Sequence, residues 1–181
     1  MSPTAPEDVR SSLMNRRIVI LGFMASGKTT VARALARQLD AESIDLDSFL
    51  TDREGRSPAQ LIAQDGESIF RRLETAALNE VLTRTRARVI ALGGGTWTIP
   101  DNRTLIALHD CITIWLDTHF DLCWQRIKES SDTVRPLAPD RETARQRYEA
   151  RRADYSLAEH RVVVSESDNQ ETIANQILPL C

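Results

Sequence analysis

The sequence predicts an α/β fold in which helices flank a mainly parallel β-sheet. Short runs rich in β-branched residues alternate with longer segments of helical period, which is typical of this class. The first run, residues 17–21 (RIVIL), is continuously apolar, as expected for a strand buried on both faces. A chain of 181 residues suits a single domain of this kind.

Five runs are predicted as strands, and the longer segments between them as helices. The helix after the first strand starts at about Lys28. Apolar residues recur there at every fourth position, at Val31, Leu35 and Leu39. Residues 58–85 form a helical segment too long for a simple crossover, so we expect a wall over the carboxyl edge of the sheet, where such folds bind ligands. The predicted strands are residues 17–21, 44–45, 88–92, 111–116 and 161–164.

The bulk composition excludes several classes of function. The net charge is −3 and no block of Lys and Arg forms a basic patch, so no nucleic acid is expected as a partner. The longest apolar runs fall far short of the roughly 20 residues that a membrane helix needs, so no membrane partner is expected either. Residues 1–15 lack the apolar core of a signal peptide and are predicted to be a disordered tail, which leaves residues 16–181 as the domain.

Cysteine usage predicts a cytoplasmic protein. Cys111, Cys123 and Cys181 are widely spaced and contain no CxxC pair. This pattern supports neither a disulfide framework nor a zinc site, so reduced thiols are expected.

Residues 22–29 (GFMASGKT) match the phosphate-binding pattern G-x-x-x-x-G-K-[ST] and lie between a predicted strand and a predicted helix. Glycines let the backbone N–H groups point at phosphate oxygens, and the helix N-terminus adds partial positive charge. Lys28 is predicted to reach the β- and γ-phosphates of ATP, and the Thr29 hydroxyl to complete the Mg²⁺ shell. A plain structural turn is the alternative, which the flanking elements disfavour. The predicted nucleotide contacts are Gly22, Ala25, Ser26, Gly27, Lys28, Thr29 and Thr30.

Two carboxylates, Asp45 and Asp47, follow the second predicted strand and are expected beside the phosphate loop. The two-residue period of a strand places them on one side. One is expected to orient a Mg²⁺-bound water, and the other to accept the proton of an attacking hydroxyl. A D-x-D pattern by itself is more often a turn or a helix cap, so the interpretation depends on the neighbouring loop.

Arginines suited to an anionic substrate occur in two predicted helices. Arg71 lies three residues before Glu74, so the carboxylate can hold a guanidinium that grips a substrate carboxylate, although an exposed ion pair is the alternative. A carboxylate ligand needs a second cation, which we expect from the Arg-rich helix that contains Arg151.

Two loops complete the predicted site. The glycines at residues 93–95 directly follow the third strand and can bring backbone close to a ligand, or else form a plain turn. Arg135 lies in a Pro-containing segment, residues 129–140, that is predicted as a mobile loop. It can close over the triphosphate and stabilise the transferring group, with a solvated arginine as the alternative.

Taken in order, these motifs resemble those of the shikimate kinases. The resemblance runs from Arg17 to about Leu178 and rests on GFMASGKTT, DLDSFL, GRSPAQLIAQDGESIFRRLE, LGGG, TVRPL and the R-x-x-x-Y of residues 151–155. It implies the P-loop NTPase fold of nucleoside monophosphate kinases, with a five-stranded parallel sheet in the order 2-3-1-4-5 flanked by helices. It also implies a substrate-binding insert at about residues 46–85 and a mobile lid at about residues 129–140.

The resemblance also implies roles by position. Asp45 assists Mg²⁺, and Asp47 binds the ring hydroxyls and acts as the base. Arg71 and Arg151 grip the shikimate carboxylate, and Arg135 touches both phosphate and substrate. The other implied contacts are the backbone of Gly94 between Gly93 and Gly95, and Arg126, which falls near the adenine-side arginine of the family.

The sequence departs from the family pattern in three places. Thr51 stands where an acidic residue is common, Ala153-Asp154 replaces a Pro-Leu pair, and Trp97 is bulkier than expected. These changes are expected to adjust substrate choice and to leave the phosphate machinery intact.

The sequence therefore predicts a monomeric shikimate kinase that uses Mg²⁺ and ATP to phosphorylate the 3-hydroxyl of shikimate. Two alternatives are open. A kinase of the same fold could act on another hydroxy acid such as gluconate, because the two arginines indicate a carboxylate without identifying it. A catalytically silent nucleotide-binding module would be expected to lack Lys28, Asp47 or the lid arginine, and all three are present.

Overall fold

In the described part of the chain, residues 16–130 and 139–181 of a computed structural model, five parallel strands form one sheet. Their order is β2-β3-β1-β4-β5, which confirms the predicted fold class and topology. The central strand β1 pairs with β3 on one side and β4 on the other, so the phosphate loop that follows it emerges between them. The strands are β1 (Ile18–Leu21), β2 (Ser43–Asp45), β3 (Val89–Ala91), β4 (Ile112–Thr118) and β5 (His160–Val164).

Helices cover both faces of this sheet. On one side of β1, Ile18 and Ile20 belong to a core layer that includes apolar residues of the first and last helices. On the other side, Val19 and Leu21 belong to a second layer shared with the insert and with the helix before β5. The helices are α1 (Lys28–Gln38), α2 (Leu46–Glu54), α3 (Pro58–Asp65), α4 (Glu67–Arg84), α5 (Pro100–Leu108), α6 (Phe120–Glu129), α7 (Arg141–Tyr155) and α8 (Gln170–Ile177).

The insert between β2 and β3 differs from the single helical segment predicted for residues 58–85. It consists of α2, α3 and α4, and Gly66 divides the last two. The φ of Gly66 is 88°, a left-handed value that glycine adopts without strain and that ends α3. At its other end, α3 starts with a capping box in which Ser57 and Gln60 satisfy each other's backbone N–H groups. The N-terminal half of α4 lies beside the carboxyl edge of the sheet, where Arg71 meets Gly95 after β3.

Strand β4 runs to Thr118, beyond the predicted end at residue 116. Asp117 and Thr118 pair with the last two residues of β5. A carboxylate is tolerated in this buried strand because Arg152 and Arg161 both bond Asp117, Arg152 with an Nη1 to Oδ1 distance of 2.8 Å. A search for apolar runs does not detect polar strand residues whose charge is paired by arginines. The predicted strand therefore ended two residues too early.

Among the described residues, we find no helix with the length and apolar character needed to cross a bilayer.

Candidate active site

The loop between β1 and α1 has a curled backbone that requires glycine or another small residue at three positions. Gly22 has a φ of 144°, and a Cβ placed there would lie 2.7 Å from the backbone oxygen of Leu116. Gly27 has a φ of 97°, and Ala25 adopts a left-handed φ of 57°. The hydroxyl of Thr118 at the end of β4 donates to the backbone oxygen of Ser26 at 3.1 Å. The loop is therefore braced from the neighbouring strand in a curled form that leaves N–H groups for an anion.

Lys28 and Thr29 begin α1, as the phosphate-binding pattern predicts. The Lys28 side chain is buried, and its Nζ donates to the backbone oxygen of Phe23 at 2.7 Å, across the mouth of the loop. The Thr29 hydroxyl donates to Asp45 Oδ2 at 2.5 Å. The ammonium group and the hydroxyl thus lie where a phosphate chain bound by the loop would meet them.

Asp45 ends β2 and has two structural roles. Its Oδ1 accepts the backbone N–H of Ser48 at 3.0 Å and caps α2, while its Oδ2 accepts the Thr29 hydroxyl. The helix-cap interpretation of the D-x-D pattern therefore holds for Asp45, and the carboxylate still faces the phosphate loop. A carboxylate and a hydroxyl are the hard oxygen donors that Mg²⁺ uses, together with phosphates and waters.

Asp47 does not continue the strand, so the period-two argument was wrong for this residue. It lies in the first turn of α2 and faces the glycine turn after β3, where a Cβ on Gly93 would lie 2.8 Å from its Oδ1. Burial raises its pKa to about 6, and repulsion from Glu74 and Asp45 adds to this effect. Lys28 and Arg71 oppose the increase without cancelling it. The carboxyl group is thus poised to exchange a proton near neutral pH.

Arg71 lies on α4 with its guanidinium between two carboxylates. Its Nη1 bonds Glu74 Oε2 at 2.7 Å, the pair predicted from their spacing, and its Nη2 bonds Glu67 Oε1 at 3.1 Å. The guanidinium also stacks on the Phe70 ring, with Cζ 4.8 Å from the centroid. Glu74 is buried and accepts the Thr96 hydroxyl at 2.6 Å. Arg71 is therefore held in one orientation from several sides.

The glycine turn after β3, residues 93–95, has no room for side chains at its two ends, because Arg71 and Glu74 lie too close. A Cβ on Gly93 would lie 2.6 Å from Glu74 Oε1, and one on Gly95 would lie 2.5 Å from Arg71 Nη2. A Cβ on the middle residue, Gly94, would lie 3.3 Å from the backbone nitrogen of Met24 in the phosphate loop. These glycines are required for close packing against the site, so the segment is more than the plain turn considered as the alternative.

Helix α7 meets this turn from the other side. Arg151 Nη1 and the Tyr155 hydroxyl both donate to the backbone oxygen of Gly94, at 3.1 and 2.5 Å. Burial raises the pKa of Tyr155 to about 12, so this hydroxyl keeps its proton and remains a donor. Arg151 is almost fully buried, whereas its neighbour Arg152 bonds Asp117. Of these two arginines in the Arg-rich helix, Arg151 is the one that faces the glycine turn.

Two positions that depart from the family pattern contact each other. The Trp97 indole is buried and its Nε1 donates to the backbone oxygen of Asp154 at 2.8 Å. Arg103 joins the same contact, because its Nη1 bonds the Trp97 backbone oxygen at 2.9 Å and Asp154 Oδ1 at 3.2 Å. The third departure, Thr51, donates its hydroxyl to the backbone oxygen of Asp47 at 2.7 Å. The pair formed by Trp97 and Asp154 therefore fastens the glycine turn to α7.

A cavity of about 510 Å³ joins the phosphate loop to Asp45, Asp47 and Gly94, whereas Arg71 and Arg151 are not among the described residues that line it. Most of the predicted nucleotide contacts line this cavity, from Ala25 to Thr30 of the loop and the start of α1. Arg126 also lines it, and its Nη1 donates to the Ala25 backbone oxygen at 3.4 Å. Arg135 lies outside the described residues. Asp168, Asn169 and Gln170 were missed by sequence reasoning, although they follow β5 at the carboxyl edge, where this fold binds ligands. The cavity is lined by residues 24–30 of the loop together with Asp45, Asp47, Leu92, Gly94, Arg126, Ser130, Asp168, Asn169, Gln170, Ile173 and, from α1, Val31.

Comparisons with known proteins agree on one family. The family model described as "Shikimate kinase" matches residues 24–181. The chain is 32% identical to the shikimate kinase of Geobacillus kaustophilus, over 92% of this chain and 88% of that protein. It is 37% identical to the shikimate kinase of a Synechococcus strain, over 88% of this chain and 84% of that protein.

Solved structures give the same result. The shikimate kinase from Acinetobacter baumannii, solved in complex with shikimate, is similar with a TM-score of 0.83 and 31% identity, over 94% of this chain and 96% of that one. A gluconokinase from Sinorhizobium meliloti reaches a TM-score of 0.62 at 16% identity, over 92% of this chain and 91% of that one, and therefore shares the fold.

Proposed function

The chain belongs to the shikimate kinase family, and from this premise we propose that it transfers the γ-phosphoryl group of ATP to the 3-hydroxyl of shikimate, giving shikimate 3-phosphate and ADP. One observation carries the proposal. The cavity has the phosphate loop on one side and Asp47 with Gly94 on the other, and guanidinium groups of Arg71 and Arg151 lie against the glycine turn. A nucleotide tail and an organic acid can therefore meet at a single edge of the sheet.

The phosphate loop and Lys28 would hold the β- and γ-phosphates, since the loop offers N–H groups and the helix N-terminus at the same point. Thr29 and Asp45 would hold Mg²⁺ together with the phosphates, which fits their oxygen donors. When bound, the ion supplies positive charge that offsets the charge on the transferring group. Arg135, in the proposed lid, would add a further positive charge.

Asp47 would accept the proton of the 3-hydroxyl while that oxygen attacks the γ-phosphorus and the bond to the bridging oxygen of ADP breaks. The carboxylate has the position and the pKa for this task, because it lies in the cavity and is mostly ionised above a pH of about 6. Arg71 and Arg151 would grip the substrate carboxylate, which would orient the ring over Asp47. Most of the rate would then come from positioning and charge stabilisation.

We further propose that the chain works as a cytoplasmic monomer in aromatic amino-acid synthesis. The three cysteines are free in the structure, and burial raises the thiol pKa of Cys111 and Cys123 to about 11, which suits unreactive thiols in a reducing compartment.

The function is tested by measuring ADP release with shikimate, quinate and gluconate side by side. We expect turnover on shikimate to exceed that on the other two acids by orders of magnitude. Turnover on gluconate with none on shikimate would refute the proposal.

The rate should also depend on pH in a defined direction. Because Asp47 must be ionised to accept a proton, we expect kcat/KM for shikimate at saturating Mg²⁺ and ATP to fall about tenfold per pH unit below a pH of about 6. Above that pH the value should reach a plateau. A profile that stays flat down to a pH of about 5 would contradict the assignment of Asp47 as the base.

A further inference from the structure

Arg71 is already bonded to two carboxylates of the protein itself. Glu74 bonds Nη1 at 2.7 Å and Glu67 bonds Nη2 at 3.1 Å, so both terminal nitrogens of the fork have an anionic partner. A bidentate grip on a substrate carboxylate uses two N–H groups of the same fork. A guanidinium has five N–H groups, but a substrate carboxylate that approaches Nη1 or Nη2 competes with the protein carboxylate already bonded at that nitrogen.

The two carboxylates differ in how firmly they are held. The Glu74 side chain is only 1% exposed, and its other oxygen accepts the Thr96 hydroxyl at 2.6 Å. Its release would leave a buried charge without its cation, which is strongly unfavourable. The Glu67 side chain is 42% exposed and lies in the first turn of α4. It is the partner that can leave at low cost, because an exposed ion pair contributes little.

A second cation is positioned to receive Glu67. Arg147, on the facing helix α7, has its Nη2 3.8 Å from Glu67 Oε2, the oxygen that does not bond Arg71. The Arg147 side chain is 33% exposed and lies one turn before Arg151. A small rotation of Glu67 would thus exchange one guanidinium for another without leaving the carboxylate unpaired.

We propose that Glu67 is an internal competitor for the substrate carboxylate: it occupies Arg71 in the unliganded enzyme and transfers to Arg147 when shikimate binds. This inference rests on the proposed function, because it takes Arg71 as the carboxylate-binding residue. Shikimate binding would then break the Arg71–Glu67 pair. The affinity for shikimate is therefore lower than it would be if Glu67 did not bond Arg71.

The test is calorimetric titration of shikimate into nucleotide-free enzyme. Glu67→Gln should lower the Kd for shikimate about two- to fivefold, the range that loss of an exposed ion pair covers. Arg147→Gln should raise the Kd by a similar factor, because Glu67 then loses its second partner. In an Arg71→Lys background, Glu67→Gln should have a much smaller effect, since the competition is for the fork of Arg71.

The matched control is Glu80→Gln on the same helix, because Glu80 is also paired with two arginines, Arg84 at i,i+4 and Arg53 on α2. It should leave the shikimate Kd unchanged, and neither Glu67→Gln nor Arg147→Gln should change the KM for ATP. If Glu67 instead holds Arg71 in place, Glu67→Gln will raise the Kd, and an increase or no change overturns the inference. If the wild type turns over shikimate and Glu67→Gln binds it with an unchanged Kd, this inference alone is refuted. If the wild type does not bind shikimate, both this inference and the proposed function are refuted.

Discussion

Replacing Asp47 by Asn is expected to lower kcat for shikimate by about two to four orders of magnitude, the contribution typical of a general base. The amide has nearly the shape of the carboxylate but cannot accept the proton of the attacking hydroxyl. The phosphate loop and Lys28 remain in place, so the affinity for ATP, measured by titration with a non-hydrolysable analogue, should change little. A kcat within about threefold of the wild type would refute the role of Asp47.

The same variant provides a control for correct folding. In the folded protein, burial and neighbouring carboxylates raise the pKa of Asp47 to about 6, above the ordinary aspartate value of 3.8. The folded state therefore favours the neutral acid, and the ionised form at higher pH reduces stability as pH rises through the folded-state pKa. We expect Asp47→Asn to have a higher Tm than the wild type at a pH of about 8 and a smaller difference at a pH of about 4, where both side chains are neutral in the folded state. A lower Tm at the higher pH would mean that the lost activity reflects damaged packing.

Replacing Arg71 by Lys should raise the KM for shikimate about ten- to a hundredfold, with a much smaller effect on the KM for ATP. Lysine keeps the positive charge beside Glu74 but lacks the planar fork that pairs with a carboxylate through two parallel bonds. Steady-state kinetics with each substrate varied in turn separates the two constants. Equal increases in both would contradict carboxylate recognition by this residue.

The choice of lysine matters because Arg71→Ala would have a second effect. Alanine would leave the Glu74 carboxylate buried without its cation, so a loss of activity would combine substrate recognition with misfolding. Arg72→Lys is the matched control, since Arg72 is the next residue on α4 and is exposed. It should leave both KM values and the Tm close to those of the wild type.

The sequence was sufficient to predict the features that depend on local pattern. The phosphate loop, the five strands and the Arg71–Glu74 pair all follow from residue spacing, and the strand order followed from the family resemblance. The position of Asp47 could not be predicted in this way. Asp45 caps a helix immediately after a short strand, and this cap is decided by a single side chain bond to Ser48.

Contacts between distant segments were also beyond sequence reasoning. Asp168 to Gln170 reach the cavity only because β5 lies beside β4, and no residue type in that stretch indicates a phosphate or a base. Trp97 and Asp154 were recognised as separate departures from the family pattern, 57 positions apart. Only the packing of α7 against the glycine turn shows that they touch.

That contact has a mechanical consequence for the substrate side of the site. The indole donates to the backbone of Asp154, and Arg103 bonds both partners, so the three residues form a small unit that joins the turn behind Arg71 to the helix that carries Arg151. Neither Trp97 nor Arg103 is among the described residues that line the cavity, yet both fix the end of α7 relative to the glycine turn. Loss of the indole would therefore be transmitted to the guanidinium of Arg151, one turn of helix away.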